Sequence, residues 1–157
     1  MNQFTRRNVA YIFGALTAAS AQAETGKPGT SLHQEIDLRA SPERLYGMLL
    51  DAAKFSAFTK QPAEIGTEEG APFKLFGARV EGRNIELIPN LRIVQAWRPA
   101  SWPAGVYSIV RFEFAPRGTV TRIALDHAGF TEDKWEHLNA GWAENYWDPM
   151  RRYLLPA

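Results

Sequence analysis

From Ser31 to Arg39 the chain alternates, with Leu32, Gln34, Ile36 and Leu38 on one side and His33, Glu35, Asp37 and Arg39 on the other. A period of two predicts a half-buried strand. The segment before it, Glu24 to Thr30, holds Gly26, Pro28 and Gly29 and reads as a flexible leader. Ser41-Pro42-Glu43 then predicts a helix start. Ser41 can cap, Pro42 has no N–H to lose at the first helical position, and Glu43 suits the positive end of the dipole. Leu45, Leu49 and Leu50 supply its apolar face, and Asp51 can cap a second short helix carrying Phe55 and Phe58. Pro62 to Pro72, with Gly66 and Gly70, reads as a loop. Five β-like runs follow: Phe73 to Phe76, Arg79 to Ile88, Leu91 to Arg98, Val106 to Phe114 and Val120 to Ala128. Breakers separate them at Gly77, Pro89-Asn90, Pro99 to Gly105, and Pro116 to Gly118, so the spacing predicts an antiparallel meander.

The last element reads as a helix. Thr131 can cap it, Glu132 and Asp133 fill its first turn, and Phe130 with Trp135 can form a hydrophobic staple. Trp135, Leu138, Trp142, Tyr146, Met150 and Tyr153 recur at helical spacing and make one apolar stripe. Pro149 falls inside the stripe and predicts a kink or break there. The order is strand, two short helices, a run of strands, then a long helix. It describes an α+β domain over residues 31–157, with a twisted antiparallel sheet of about six or seven strands wrapped around the C-terminal helix.

Several segments, in this order and spacing, resemble a known family. They are Phe76-Gly77-Ala78-Arg79-Val80-Glu81-Gly82, Glu86-Leu87-Ile88-Pro89, Ile93-Val94-Gln95-Ala96-Trp97-Arg98, His127-Ala128-Gly129-Phe130, and Gly141-Trp142 with Tyr146-Trp147-Asp148-Pro149. The chain resembles, from about Ile36 to Leu155, the C-terminal domain of activators of the heat-shock protein 90 ATPase and its bacterial relatives. Ala71 and Ala78 stand where relatives often carry a second Gly, and Thr131 where Pro is common. The resemblance implies the START-like, or Bet v 1-like, helix-grip fold (the SRPBCC superfamily). It also implies a ligand space between sheet and long helix. Many functions share that scaffold. The eukaryotic activators carry a separate N-terminal domain to which nothing here corresponds, so the chaperone-activating function is not carried over.

Composition narrows the partners. The charge is nearly balanced, 18 basic against 17 acidic residues, which argues against nucleic acid as the partner. There is no cysteine, hence no disulfide and no thiolate site. The first 23 residues read as an export signal. Arg6 and Arg7 precede an apolar stretch from Val9 to Ala19, and Ala21-Gln22-Ala23 offers a small-x-small cleavage site. Thr5-Arg6-Arg7-Asn8-Val9 looks like a twin-arginine signal, with Val9 where Phe is usual. The stretch is far short of the ~20 residues that span a bilayer. The expected address is periplasmic or secreted, with the twin-arginine machinery as the precursor's partner.

Chemistry-bearing residues are few. His127 shares a face with Thr121, Ile123 and Leu125, where an imidazole can meet a ligand near neutral pH or be satisfied by a backbone carbonyl or Tyr146. Glu144 lies off the apolar stripe and reads as solvated. His33 and His137 show no metal-ligand spacing with His127, and no nucleophile elbow, P-loop or dinucleotide fingerprint occurs. No cofactor is expected. Trp102, at the tip of the loop after the third of these runs, can gate a pocket, contact a partner, or fold back on its sheet. Arg111 with Glu113 and Arg122 with Asp126 read as outward-facing charges. The candidate ligand-binding set is Phe76, Trp97, Phe112, His127, Trp142 and Tyr146. Three functions fit: a non-catalytic module binding a small apolar or amphipathic molecule, a cyclase- or hydrolase-like enzyme using His127, and a stress-related protein-interaction module acting through Trp102.

Overall fold

A computed structural model of the chain describes residues 28–156, so the expected export signal and most of the expected leader lie outside the described residues. Seven strands form one antiparallel sheet in the order β1-β7-β6-β5-β4-β3-β2. They are β1 Ser31–Leu38, β2 Glu64–Ile65, β3 Pro72–Leu75, β4 Val80–Ile88, β5 Arg92–Pro99, β6 Ser108–Arg117 and β7 Val120–Ala128. Helices α1 Pro42–Leu50 and α2 Ala52–Thr59 connect β1 to β2, and α3 Trp135–Trp142 and α4 Asp148–Leu154 close the chain. This is the expected α+β helix-grip architecture.

Local chemistry explains several element ends. The Arg44 amide donates to Ser41 Oγ (3.2 Å), with Pro42 at the first turn of α1, and the Lys54 amide donates to Asp51 Oδ1 (2.9 Å) at the start of α2. Both capping side chains thus satisfy an orphan helix N–H. Gly118 takes φ 60° in the two-residue connection between Arg117 and Val120, the positive φ that a type II′ hairpin needs at its first position.

Alternation on the strands builds the core. Ile93, Phe112 and Leu125 stand opposite one another in a single inward row across β5, β6 and β7, and all are buried. The outward positions carry charge, as expected, but the partners differ. Arg111 pairs with Asp126 (2.7 Å), Arg92 with Glu113 (3.0 Å), and Arg122 with Asp37 and Glu35. Residues two apart along one strand do not face each other across a ladder, whereas residues on neighbouring strands do. Gly82 marks where backbone comes closest: a Cβ there would lie 2.0 Å from the Ala96 carbonyl oxygen and 2.4 Å from Phe73 Cζ. Phe73 covers the place a side chain would take.

Four elements depart from the sequence reading. Residues 64–65 add a short edge strand inside the expected loop. Strand β6 starts at Ser108, not Val106, and runs on to Arg117. Phe76 is not a strand residue: Phe76, Gly77 and Ala78 all take left-handed φ (54°, 64° and 65°) in a turn. Thr131 makes no side-chain capping bond, and the helix opens instead with a single 3-10 turn at Glu132–Lys134.

The α-helical run breaks just before Pro149, where it widens. Ala143–Trp147 forms a π-helical turn in which the Asp148 amide donates to the Ala143 carbonyl, five residues back. Pro149 has no N–H for the carbonyl four residues back, so the wide turn sits just before it, and α4 continues beyond. The extra residue shifts the helical phase. Tyr146 and Trp147 are therefore both buried, while Tyr153, expected on the stripe, is 41% exposed. Gln34 locks this arrangement to β1: its Nε2 donates to Asn139 Oδ1 (2.7 Å) and its Oε1 accepts from Trp147 Nε1 (2.6 Å). Among the described residues, no helix is long and apolar enough to cross a membrane.

Candidate functional site

The aromatic residues of the helix and sheet meet around Trp142. Its ring stacks on Trp97 (centroids 5.3 Å, 26°) and on Trp147 (6.0 Å, 23°), meets Phe112 edge to face (5.6 Å, 80°) and lies 4.5 Å from Tyr146. Such pairs add roughly 0.5–1.5 kcal/mol each beyond the area they bury. Beside this cluster, on the side of the β5 end, a cleft of about 600 Å³ opens. Its walls are the first turns of the long helix from Asp133 to Tyr146, the end of β5 with the loop Ala100 to Trp102, and the turn from Phe76 to Val80. The Arg98 guanidinium draws that loop inward by donating to the Trp102 carbonyl (2.7 Å), while Glu81 holds Arg98 from the neighbouring strand. The Ala100 amide donates to the Arg79 carbonyl (2.8 Å), which knits the loop to the 76–79 turn. Trp102 folds back on the sheet, is buried, and lines the cleft.

Four of the six expected residues, Phe76, Trp97, Trp142 and Tyr146, line the cleft. Phe112 and His127 do not. They sit on β6 and β7 directly beneath the helix, where large rings interdigitate and leave no space. The free volume lies where the helix overhangs the β5 end, beyond the reach of either side chain.

His127 is fully buried, and both ring nitrogens have partners. Trp142 Nε1 donates to Nδ1 (3.2 Å), so Nδ1 carries no proton and the hydrogen sits on Nε2. Nε2 then donates to Ser108 Oγ (2.7 Å), and the Ser108 hydroxyl donates to the Trp97 carbonyl (3.1 Å). Burial pushes the imidazole pKa down to about 3. A histidine next to a serine at 2.7 Å has the distance of a base–nucleophile pair, but the proton runs the wrong way. Nε2 already holds a hydrogen and cannot accept the serine's. The satisfying partners are Trp142 and Ser108, not the backbone carbonyl or Tyr146 expected from sequence. Ser108 escaped the sequence reading. Its signal is positional: it lies on the inward face of β6, opposite Trp97 and diagonal to His127 across the ladder.

One buried donor remains without an acceptor among the described residues, Trp97 Nε1. The Tyr146 hydroxyl is near enough for the indole to act on its titration, without a hydrogen bond between the two. Burial raises the Tyr146 pKa well above the usual phenol range, partly offset by the nearby indole. Residues the sequence reading passed over complete the mouth of the cleft: Arg79, Asp133, Lys134, His137 and Asn145. Glu144, as expected, is exposed. Among the described residues, no group of three or more His, Asp or Glu side chains is placed to hold a metal.

The left-handed backbone at Phe76 and Ala78 is unusual for residues with a Cβ and costs on the order of 1–3 kcal/mol each. Ala78 is one of the positions where the resembling family often has glycine, which takes this conformation without strain. The strained turn presents the Phe76 ring to Tyr146 (5.5 Å) and Phe55 (5.2 Å), and its last residue, Arg79, to the cleft mouth.

A long helix gripped by a curved antiparallel sheet, with an aromatic cleft at one end, defines a START-like helix-grip domain. Residues 39–155 match the family described as "Activator of Hsp90 ATPase homolog 1-like protein", and the chain belongs to that family. It is 33% identical over 129 residues to an activator of 90 kDa heat shock protein ATPase homolog from Dictyostelium discoideum, across 81% of this chain and 34% of that protein. Against the human homolog 1 it is 28% identical over 112 residues, 71% of this chain and 33% of the relative. The chain thus spans about a third of the length of the curated relatives it matches. Among solved structures it is similar to an HSP90 activator from Plasmodium falciparum (TM-score 0.71, 24% identity, 76% of this chain and 92% of that one). It is also similar to the Aha1 dimer from Colwellia psychrerythraea (TM-score 0.68, 18% identity, 80% and 96%). These structural likenesses establish the fold.

Proposed function

We propose that this domain is a non-catalytic binding module that holds a small apolar or amphipathic molecule in the cleft under its C-terminal helix. One observation carries the reading. The cleft, of about 600 Å³, is walled by Trp97, Trp102, Trp142 and Tyr146, and beside it a buried indole N–H lacks an acceptor. Its volume falls in the ~300–1,000 Å³ range of small-molecule sites, which pair apolar walls with a few polar groups. A buried donor without a partner is costly, by about 1–3 kcal/mol, and an acceptor atom on a ligand would satisfy it. The enzyme reading loses its support in His127, whose proton placement and burial leave it no acid–base role. The interaction reading through Trp102 loses its exposed ring.

The test is binding. Apolar aromatic probes should quench tryptophan fluorescence, raise the melting temperature, and appear as a mass increment in native mass spectrometry. Tyr146→Phe should change which probes bind more than it changes stability. A broad lipid and aromatic panel that yields no bound species would reject the proposal.

The address is proposed with it: the domain acts outside the cytoplasm after twin-arginine export, on the strength of Arg6-Arg7 and the Ala21-Gln22-Ala23 site. Replacing Arg6 and Arg7 by Lys should trap precursor in the cytoplasm. Unchanged delivery of mature protein to the periplasm would rule out that route, and a mature N-terminus far from Glu24 would reject the cleavage site.

A further inference from the structure

The mouth of the cleft differs from its walls, and the difference points to a ligand class. Arg79 stands at the mouth on the strained Phe76–Ala78 turn, and its guanidinium is held from behind. Nε donates to the Phe76 carbonyl (3.1 Å), and the Cζ atom lies 5.7 Å above the Phe76 ring centroid. Among the described residues Arg79 enters no ion pair, and Nε makes its one hydrogen bond, so the two terminal nitrogens have no protein partner. The other charges there are Lys134 and Asp133, which pair with each other at 2.7 Å, with His137 beside them. The cleft therefore presents one preorganised, uncompensated cation over an aromatic interior.

A guanidinium with its terminal N–H groups free matches the two oxygens of a carboxylate, and it is more weakly hydrated than an ammonium. A single uncompensated cation suits a single negative charge rather than a phosphate dianion. The walls favour flat bodies: indole and phenol faces from Trp97, Trp102 and Tyr146 offer stacking and edge contacts that a saturated chain does not use. The fixed turn also lowers the ordering cost of the contact, since Arg79 is already restrained at Nε.

We propose that the cleft takes an aromatic carboxylate, with its ring body among Trp97, Trp102 and Tyr146 and its acid group on Arg79. This deepens the binding function proposed above and rests on it. The experiment compares pyrenebutyrate with its neutral alcohol, pyrenebutanol, by energy transfer from tryptophan, in the native protein, Arg79→Gln and Arg79→Lys. The native protein should bind the acid about tenfold more tightly than the alcohol. Arg79→Gln should bring that ratio to within about threefold of unity, and Arg79→Lys should keep part of it. A native ratio near unity, or a ratio that survives in Arg79→Gln, would overturn the carboxylate assignment while leaving the cleft a binding site. Dodecanoate displacing pyrenebutyrate at equal or lower concentration than naphthoate would overturn the aromatic part. Binding of neither pyrene probe would overturn this assignment, and the binding function itself would fall with it only if the broad lipid and aromatic panel also yields no bound species.

Discussion

Trp142→Ala should destabilise the domain by about 3–5 kcal/mol, the range for deleting a large buried aromatic side chain. Trp142 is 2% exposed and touches the core on every side: Trp97 and Trp147 stack on it, and Phe112 and Tyr146 close its edges. Its removal also strips His127 Nδ1 of a donor inside the protein. For a domain of this size the melting temperature should fall by roughly 10 °C or more. Trp142→Phe separates the two contributions. It keeps an aromatic ring but loses the indole N–H, so its cost should be nearer the ~1–3 kcal/mol of an unsatisfied buried group. Chemical denaturation of both variants measures this. A loss under about 1 kcal/mol for Trp142→Ala would mean that the ring is not a member of the core.

Acid should unfold the domain early, and His127 should be the cause. In the folded state burial holds its pKa at about 3, against an ordinary value of 6.5. Between those values the unfolded chain binds a proton that the native state does not. Stability is therefore full above pH 6.5 and falls as pH drops from there toward pH 3. Each pH unit of that descent approaches about 1.4 kcal/mol per proton, so the loss reaches about 2 kcal/mol by pH 5. Asp37 and Asp126 also contribute, but at lower pH. The Arg122 hydrogen bond holds Asp37 below its ordinary 3.8; at Asp126 partial burial pushes upward, but the His33 and Arg111 hydrogen bonds and charges together outweigh it and lower the pKa. The range from pH 6.5 to about pH 4.5 therefore reports on the imidazole. His127→Phe should flatten the curve there, even though that variant starts from lower stability because Trp142 and Ser108 lose their partner. A native curve that is already flat between pH 6.5 and 5 would show that the imidazole takes up its proton without unfolding.

These effects show why some of the site could be read from sequence and some could not. Trp97 and Trp142 were legible because each follows its own element's period, and Tyr146 because it extends the same stripe. Phe112 follows its strand's period equally well, yet it lies under the helix and away from the open space. Periodicity reports which face a side chain is on; it does not report where along that face two elements part. Arg79 and Lys134 were passed over because charged residues beside a turn or at a helix start usually face water. They reach the cleft mouth only because the 76–79 turn and the 99–102 loop fold against the same helix end.

What the sequence determined by itself is therefore what neighbours along the chain decide. Strand alternation set the inward rows, Ser41 and Asp51 set two helix starts, and Gly118 suited its tight connection. The joint spacing of motifs from Phe76 to Pro149 indicated the family. What the tertiary structure decided depends on groups far apart in the chain meeting in one place. Trp142 supplies the hydrogen bond that selects the His127 tautomer, and Ser108 takes the proton on the other side, so a candidate acid–base residue becomes a neutral structural one. The π turn before Pro149 turns Trp147 inward and Tyr153 outward, against the regular helical count. The cleft exists because rigid aromatic side chains on a curved sheet and the C-terminal helix fill the middle of the grip and cannot also fill its end.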